Sequence, residues 1–309
     1  MTPSTKHSTP RCVGALALFW LLLAQCVFGQ PKTPAESFYS QAQRAIIRLE
    51  AITTDTATKK TSVRLGTGFF VRTEANNWYV ITAAHVADAP VSYTARMPLS
   101  LDNGQTAEAR LVLPRDRWQF HSAAVDEEHF RVDVAAMKIS WIGGGIVSFF
   151  YCPKKCPEKQ YNQLAENPEP PDTVMIFGFP LSAGMKVSRP LGRQGMVAFV
   201  DQETDAIRVE NKWFDRQGFI IDIPTIVGGA SGSPVIKNPP FGQLTLVGLN
   251  SASNTNVGAG YAIAEPVSRI RELLDRMEAE NAPAVNAWCL ASDSEAKKIT
   301  QNTLPVCDR

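Results

Sequence analysis

The chain has 309 residues, enough for one large domain or two small ones, and 44% of them are apolar, which can supply a sizeable core. The formal net charge is only +1, and acidic and basic residues are well mixed. We therefore expect no nucleic-acid partner, because nothing in the composition suggests a basic face. Glycine and proline are spread along the chain, as in folds with many short strands joined by turns.

The first 29 residues have the pattern of a signal peptide. Lys6 and Arg11 give a positive start, and the stretch Val13–Phe28 is almost wholly apolar. Gly29 is small enough to guide cleavage after it. We expect a secreted or periplasmic protein with no stable membrane span once this leader is removed. Alternatives are a buried core helix, a retained anchor and lipid modification at Cys26.

Residues 35–49 are predicted to form a short helix, because their apolar side chains recur on one helical face. Strand patterns follow, and "LGTGFFV" and "WYVIT" flank "RTEANN" as in a hairpin. So many short strands predict an all-β fold of barrels or a sandwich. The further candidates are "ARLVL", "VDVAAMKIS", "TVMIFGF", "GMVAFV", "AIRVE", "GFIIDI", "SPVI", "TLVGLNS" and "GYAIA".

A change in composition at residues 142–171, with "GGG", "CPKKCPEK" and "ENPEPPD", predicts a linker or insertion. It separates a first β half, about 50–141, from a second half, about 172–265. Residues 266–280 predict an amphipathic helix, with Pro266 in its first turn. The tail, 281–309, has no strong period.

Four cysteines remain after the leader is removed, and an even number in an exported chain predicts two disulfides. We favour the pairs Cys152–Cys156 and Cys289–Cys307, because each closes a local loop, whereas the alternative pairings join the tail to the middle of the chain. A single "CPKKC" without a nearby histidine is a poor metal-ligand set, so we expect no metal and no other cofactor.

The candidate base is His85, in "YVITAAHVAD", because a histidine just past a buried strand is held rigidly at the edge of the sheet. The alternative is a structural histidine. His121 and His129 lie in "FHSAAVDEEHF", a polar stretch without such support.

Asp133, in "FRVDVAAMKIS", opens an apolar strand and needs a partner if it is buried. A histidine ring N–H would satisfy it. The alternative is a strand-end aspartate that faces water.

Ser231 lies in "TIVGGASGSPVI", which fits either a tight turn or a nucleophile loop. A serine hydroxyl needs a base to take its proton, and that base needs a carboxylate to orient it. The order His85, Asp133, Ser231 supplies all three groups. The surrounding glycines let the N–H groups of Gly229 and Ser231 point at a developing oxyanion.

Taken together, "GTGFFV…VITAAHV", "VDVAAMKI" and "GGASGSPV…LVGLNSAS…GYAIA" resemble the trypsin-like serine proteases, nearest to the bacterial HtrA-like and glutamyl-endopeptidase-like branches. The resemblance spans roughly residues 64–266. It implies a protease domain over 30–280, with two antiparallel six-stranded barrels and the triad between them. It also implies a serine endopeptidase that acts on polypeptides through an acyl-enzyme.

The chain departs from the digestive members of that family at two positions. Val86 stands where they carry a cysteine, and Ala230 stands where they carry the aspartate that pairs with a newly freed N-terminus. Activation by such an ion pair is therefore not expected. No segment of the size of a PDZ domain follows Pro266, so regulation of that kind is not expected either.

The resemblance also places a substrate pocket, with Thr225 at its base. Asn250 stands where glutamyl endopeptidases carry a histidine. A pocket without a charge should prefer small or medium apolar side chains over Arg, Lys or Glu. Its predicted walls are small and mostly neutral: Asn250, Ser251, Ala252, Gly258 and Gly260.

Two other functions are alternatives to the endopeptidase. A catalytically silent binding module could use the same fold, because a fold does not fix its function. An esterase of the α/β-hydrolase type would need glycine at position 233, where the chain has Ser233, and a different order of the triad. The oligomeric state cannot be predicted from these patterns.

Overall fold

The computed structural model of the protein describes sixteen stretches or single positions of the chain: 42, 44–54, 58–89, 91–100, 106–124, 132–140, 150–152, 168–179, 190–200, 205–209, 212–216, 218–223, 229–237, 245–254, 260–286 and 288–290. The predicted leader lies outside the described residues, as do most of the predicted linker and the tail beyond Leu290. The described residues all belong to one unit of contacts, 38–309.

Nine described strands form the first sheet. They are β1 (Ile46–Thr54), β2 (Thr61–Thr73), β3 (Trp78–Thr82), β4 (Tyr93–Ser100), β5 (Thr106–Leu113), β6 (Gln119–Phe120), β7 (Ala135–Ile139), β8 (Phe150–Cys152) and β17 (Trp288–Leu290). Eight of them follow the order β17-β5-β4-β1-β2-β3-β7-β6, and β8 pairs with β2 in parallel.

Six strands form a closed barrel in the second half, in the order β10-β13-β16-β15-β14-β9. The strands β11 (Asp205–Val209) and β12 (Lys212–Arg216) pair with each other in a separate two-stranded sheet. The barrel strands are β9 (Thr173–Gly178), β10 (Leu191–Val200), β13 (Phe219–Asp222), β14 (Pro234–Lys237), β15 (Thr245–Asn254) and β16 (Tyr261–Pro266).

The predicted all-β class is confirmed, and the second barrel has the six antiparallel strands expected of it. The first half differs in detail, because its described strands form one sheet of nine rather than a closed set of six. Two of the additional strands lie where none was predicted. β8 falls within the segment predicted to be a linker, and β17 falls within the tail and pairs with β5.

Two α-helices are described over their whole length, α1 (Ala84–Ala87) and α2 (Val267–Ala279). The predicted apolar face of α2 is buried. Pro266 was predicted in the first turn, but it lies one residue before the helix, at the N-cap and in an extended conformation, because it still belongs to strand β16. Within the part of the chain that is described, no helix has both the length and the apolar character needed to cross a bilayer.

The predicted helix over 35–49 is wrong at its C-terminal end. Ala42, Arg44 and Ala45 are helical, but the chain becomes strand β1 at Ile46. From Ile47 to Ile52 burial alternates with period two, as in a strand with one face on the core. The spacing of the apolar residues is compatible with either a helix or a strand. The strand forms because β1 pairs with β2 along its whole length.

Alternation along the barrel strands divides the core into two apolar clusters. On β9, Val174 and Ile176 belong to the cluster inside the barrel, whereas Met175 and Phe177 belong to the larger cluster of the first sheet and α2. Neighbouring strand residues point to opposite faces, so one strand serves both clusters. The outer face of the barrel therefore packs against the first sheet, and the boundary between the halves is apolar.

His121 is a structural histidine, and its predicted place in an unsupported polar stretch is wrong. It is 4% exposed, and its backbone N–H donates to Val134 O at 3.1 Å. Its Nε2 lies 2.9 Å from Glu272 Oε2, and its Nδ1 accepts the Ala123 N–H at 3.2 Å. Nδ1 is therefore the unprotonated nitrogen, and Nε2–H donates to the carboxylate on α2. His129 lies outside the described residues.

We expect His121 to make folding sensitive to mild acid. Burial lowers the pKa of His121 below its ordinary value, although the hydrogen bond to Glu272 acts in the opposite direction. The unfolded chain then binds more protons, so the free energy of unfolding falls as pH drops below the ordinary histidine pKa of about 6.5. Urea unfolding between pH 7.5 and 5 should show this loss in the wild type and a flatter profile in His121→Gln. Identical profiles would contradict the assignment.

Candidate active site

His85 lies at the edge of the first sheet, three residues after the end of the fully buried strand β3. All five residues of β3 are buried, and the short helix α1 begins two residues after the strand ends. The side chain of His85 is 41% exposed, whereas its neighbours Ala84 and Val86 are buried. The backbone of His85 is thus fixed by its buried neighbours, while the imidazole ring remains accessible to solvent, as predicted.

Asp133 is buried and paired with His85, so the alternative of a water-facing aspartate is wrong. It is 1% exposed and lies two residues before β7. Its Oδ2 lies 2.7 Å from His85 Nδ1, and its Oδ1 accepts the His85 backbone N–H at 2.9 Å. An ionised carboxylate only accepts hydrogen bonds, so Nδ1 carries the proton. The second ring nitrogen, Nε2, is left as the basic one.

Ser251 adds a third donor to Asp133. It is 1% exposed, and its hydroxyl donates to Asp133 Oδ2 in a short hydrogen bond. Sequence reasoning assigned Ser251 to the substrate pocket and missed this contact. A serine within the apolar strand "LVGLNSAS" was a signal that its hydroxyl needed a buried partner.

The loop that carries Ser231 requires its glycines. Gly229 and Gly232 have φ of 92° and 83°, in the left-handed region that other residues rarely adopt. A Cβ on Gly232 would lie 2.1 Å from Thr67 O and 2.3 Å from Thr82 Oγ1. The loop therefore packs directly against the backbone that leads into His85. Ser231 itself is half-buried.

Thr67, on β2, holds this loop from the side of the first sheet. Its backbone N–H donates to Ser231 O at 3.0 Å, and its hydroxyl donates to Gly229 O at 2.9 Å. The same hydroxyl accepts the Phe179 N–H at 3.1 Å, and Thr82 Oγ1 donates to Thr67 O at 2.7 Å. Thr67, which is fully buried, thus makes hydrogen bonds to three segments around the serine: the Ser231 loop, the backbone at Phe179 and the end of β3 at Thr82.

Asn250, on β15, holds the same loop from the barrel side. Its N–H donates to Ser233 O at 2.8 Å, and its carbonyl accepts the Gly232 N–H at 2.8 Å. Its side-chain Nδ2 donates to Ala230 O at 2.9 Å. The amide that was expected in the wall of the substrate pocket is therefore directed at the loop backbone.

The structure thus brings His85 and Asp133 into direct contact and packs the Ser231 loop against the residues just before His85. Of the other predicted pocket residues, Ala252 and Gly260 are half-buried. Thr225 and Gly258 lie outside the described residues. Among the described residues no group of three or more His, Cys, Asp or Glu side chains is placed to hold a metal ion.

Residues 66–248, more than half of the chain, match the family model described as "Trypsin-like peptidase domain". The chain belongs to this family. The first sheet and the closed barrel are accordingly the two halves of a trypsin-like peptidase fold. No curated protein matches the chain.

The solved structures that have the same fold as this trypsin-like peptidase include two bacterial or extremophile proteases. One is the thermostable serine protease AL20 from an extremophilic microorganism, with 13% identity, a TM-score of 0.50 and coverage of 77% of this chain and 99% of the other. The second is the protease Anisep from Arthrobacter nicotinovorans, with 12% identity, a TM-score of 0.51 and coverage of 77% and 97%. At such low identity the likeness establishes the fold alone.

We expect Thr67→Val to lower the free energy of unfolding by about 1–3 kcal/mol, because it leaves the buried Gly229 carbonyl and Phe179 N–H without the hydroxyl. Thr67→Ser retains the hydroxyl and should lose less. Urea unfolding of both variants at neutral pH measures the difference. Equal stability of Thr67→Val and the wild type would show that the hydroxyl does not hold the loop.

Proposed function

We propose that the protein is an exported serine endopeptidase that hydrolyses peptide bonds through His85, Asp133 and Ser231. The observation that carries the proposal is the pair of hydrogen bonds from His85 to the buried Asp133, made by its backbone N–H and by Nδ1, which orients the ring and makes Nε2 its basic nitrogen. The packing of the Ser231 loop against Thr82 and the family membership support it.

In this mechanism His85 Nε2 takes the proton of Ser231 Oγ as the oxygen attacks the carbonyl carbon of the scissile bond. The N–H groups of Gly229 and Ser231 stabilise the oxyanion of the tetrahedral intermediate. Asp133 stabilises the imidazolium, which then protonates the leaving amine. A water molecule, activated by the same histidine, attacks the acyl-enzyme and regenerates the serine.

Export remains part of the proposal, through the predicted signal peptide of residues 1–29 and the four cysteines that follow it. Cys152 and Cys289 lie on β8 and β17 of the first sheet. Cys156 and Cys307 lie outside the described residues, and the two disulfides stay a prediction.

Ser231→Ala should fold normally and lose about a million-fold in the rate of peptide hydrolysis, the scale expected when a triad nucleophile is removed. Ser233→Ala is the matched control. Ser233 is fully buried two residues further on, and within the described structure its hydroxyl has no hydrogen-bond partner. The control should therefore keep its activity. Rates on a casein-derived peptide mixture measure both variants.

Two outcomes of that experiment would contradict the proposal. If Ser233→Ala were inactive and Ser231→Ala active, the nucleophile would be misassigned. If the folded wild type hydrolysed no peptide in a broad mixture, the alternative of a catalytically silent trypsin-fold binding module would be favoured.

Cleavage should follow small or medium apolar side chains. The proposed pocket, with Thr225 at its base, has no charged residue among its predicted members, and a charged side chain would be desolvated there without a partner. Digestion of a peptide library, with the cut sites read by mass spectrometry, tests this preference, and Ser231→Ala is the blank. A dominant preference for Arg, Lys or Glu before the cut would show that the pocket is misplaced.

A further inference from the structure

Asn250 is a buried amide directly behind the serine loop, and the mechanism above gives it no role. It lies on β15 and is 1% exposed. Its Nδ2 donates to Ala230 O, and within the described structure its Oδ1 has no hydrogen-bond partner. A buried amide with one unpaired polar atom costs stability relative to an apolar side chain of similar size. Packing alone therefore does not account for an asparagine at this position.

The carbonyl that Asn250 holds belongs to the peptide unit that carries the N–H of Ser231. A peptide unit is planar, and in its trans form the C=O and the N–H point in opposite directions. Ala230 O accepts two hydrogen bonds, from Asn250 Nδ2 at 2.9 Å and from the Ser233 N–H at 3.1 Å. The direction of the Ser231 N–H is therefore fixed by the same two hydrogen bonds.

The two residues of this peptide unit cannot supply such a hold from their own side chains. Ala230 ends in a methyl group, and the mechanism uses the Ser231 hydroxyl for the attack. The contacts of Thr67 lie on other peptide units, because its hydroxyl donates to Gly229 O and its N–H donates to Ser231 O. Among the described contacts, Asn250 is thus the only side chain that bonds the peptide unit of the Ser231 N–H.

We propose that Asn250 is a positioning residue for the oxyanion hole, which aims the Ser231 N–H and strengthens it as a donor. This inference rests on the proposed function. A hydrogen bond accepted by a peptide carbonyl polarises the whole unit, so that its N–H becomes a better donor. Donors that are already aligned when the oxyanion forms stabilise it without reorganisation. The amide of Asn250 supplies both effects from a strand of the closed barrel.

The role proposed for Asn250 and a place in the wall of the substrate pocket predict different kinetics. A pocket residue contacts the substrate, so its replacement changes KM or the side chain preferred before the cut. A residue that acts through the Ser231 N–H contacts no substrate. Its replacement lowers kcat, because the oxyanion develops only on the way to the tetrahedral intermediate.

The first test is the kinetics of Asn250→Leu, which keeps most of the side-chain volume and removes the donor. We expect kcat to fall by about tenfold to a hundredfold with KM nearly unchanged, a smaller loss than the removal of an oxyanion donor causes. Ser233→Ala is the control and should match the wild type, because it alters a neighbouring buried side chain and keeps both bonds to Ala230 O. An unchanged kcat in Asn250→Leu, or a changed cleavage preference with kcat retained, would overturn the inference.

Thr67→Val distinguishes a specific effect from general loosening of the loop. It removes the hydroxyl that bonds Gly229 O, and the peptide unit of that carbonyl carries the Ala230 N–H, which has no part in the mechanism. We expect it to lose stability but to lose less kcat than Asn250→Leu. Equal losses of kcat would overturn the inference. Urea unfolding shows that each variant is folded, and Asn250→Ala, which removes the same donor without added bulk, replaces Asn250→Leu if the latter does not fold.

The second test measures the stability of the oxyanion itself. A peptidyl trifluoromethyl ketone with a ¹³C-labelled carbonyl forms a tetrahedral adduct when Ser231 Oγ bonds its carbonyl carbon and the serine proton passes to His85. Donors to the oxyanion lower the pKa of the adduct hydroxyl, because they favour its charged form. We expect that pKa, followed by ¹³C NMR, to be about one unit higher in Asn250→Leu than in the wild type and Ser233→Ala. Equal values would overturn the inference.

These readouts separate the two proposals. If the wild type cleaves peptides and Ser231→Ala abolishes the cleavage, but neither kcat nor the adduct pKa responds to Asn250→Leu, the inference fails and the proposed function stands. A folded wild type that neither cleaves peptides nor forms the adduct would overturn both.

Discussion

The architecture of the site depends on the burial of Asp133. A carboxylate withdrawn from water at the boundary of two β halves must be surrounded by donors, because an unpaired buried charge is far more costly than a paired one. His85 supplies two donors from the first half, and Ser251 supplies one from the barrel. The same contacts that make the burial tolerable also orient the histidine ring. The burial of Asp133 and the orientation of His85 are thus set by one group of hydrogen bonds.

A second set of constraints shapes the loop of Ser231. Thr67 bonds the loop from the first sheet, and Asn250 bonds it from the barrel. Gly232 lets the loop approach the backbone of Thr67 more closely than any side chain would permit. His85 and the Ser231 loop are therefore both fixed across the same boundary. A shift of one half against the other would disturb both, which explains why the boundary is packed with apolar side chains as well as hydrogen-bonded.

Local sequence patterns predicted most strands and the three candidate site residues, but they could not predict contacts between residues far apart in the chain. His85, Asp133 and Ser231 stood out because each interrupts an apolar or glycine-rich pattern, and most strands were predicted because their apolar residues are contiguous. Strand β1 was missed because its spacing fits a helix equally well until pairing with β2 is known. The contacts of Ser251 and Glu265 with Asp133 span 118 and 132 residues, and no local pattern marks their partner. Thr67 was likewise seen only as part of a strand, since its hydroxyl bonds a residue 162 positions away.

If Ser231 is a nucleophile activated by His85, a fluorophosphonate probe should label it covalently. Such a probe reacts with a serine whose hydroxyl is activated by a neighbouring base and spares ordinary serines. Mass spectrometry of the labelled, folded protein should find the probe on Ser231 alone, and His85→Ala should abolish the labelling. A folded wild-type protein that takes up no probe, or that carries it on a different serine, would contradict the account.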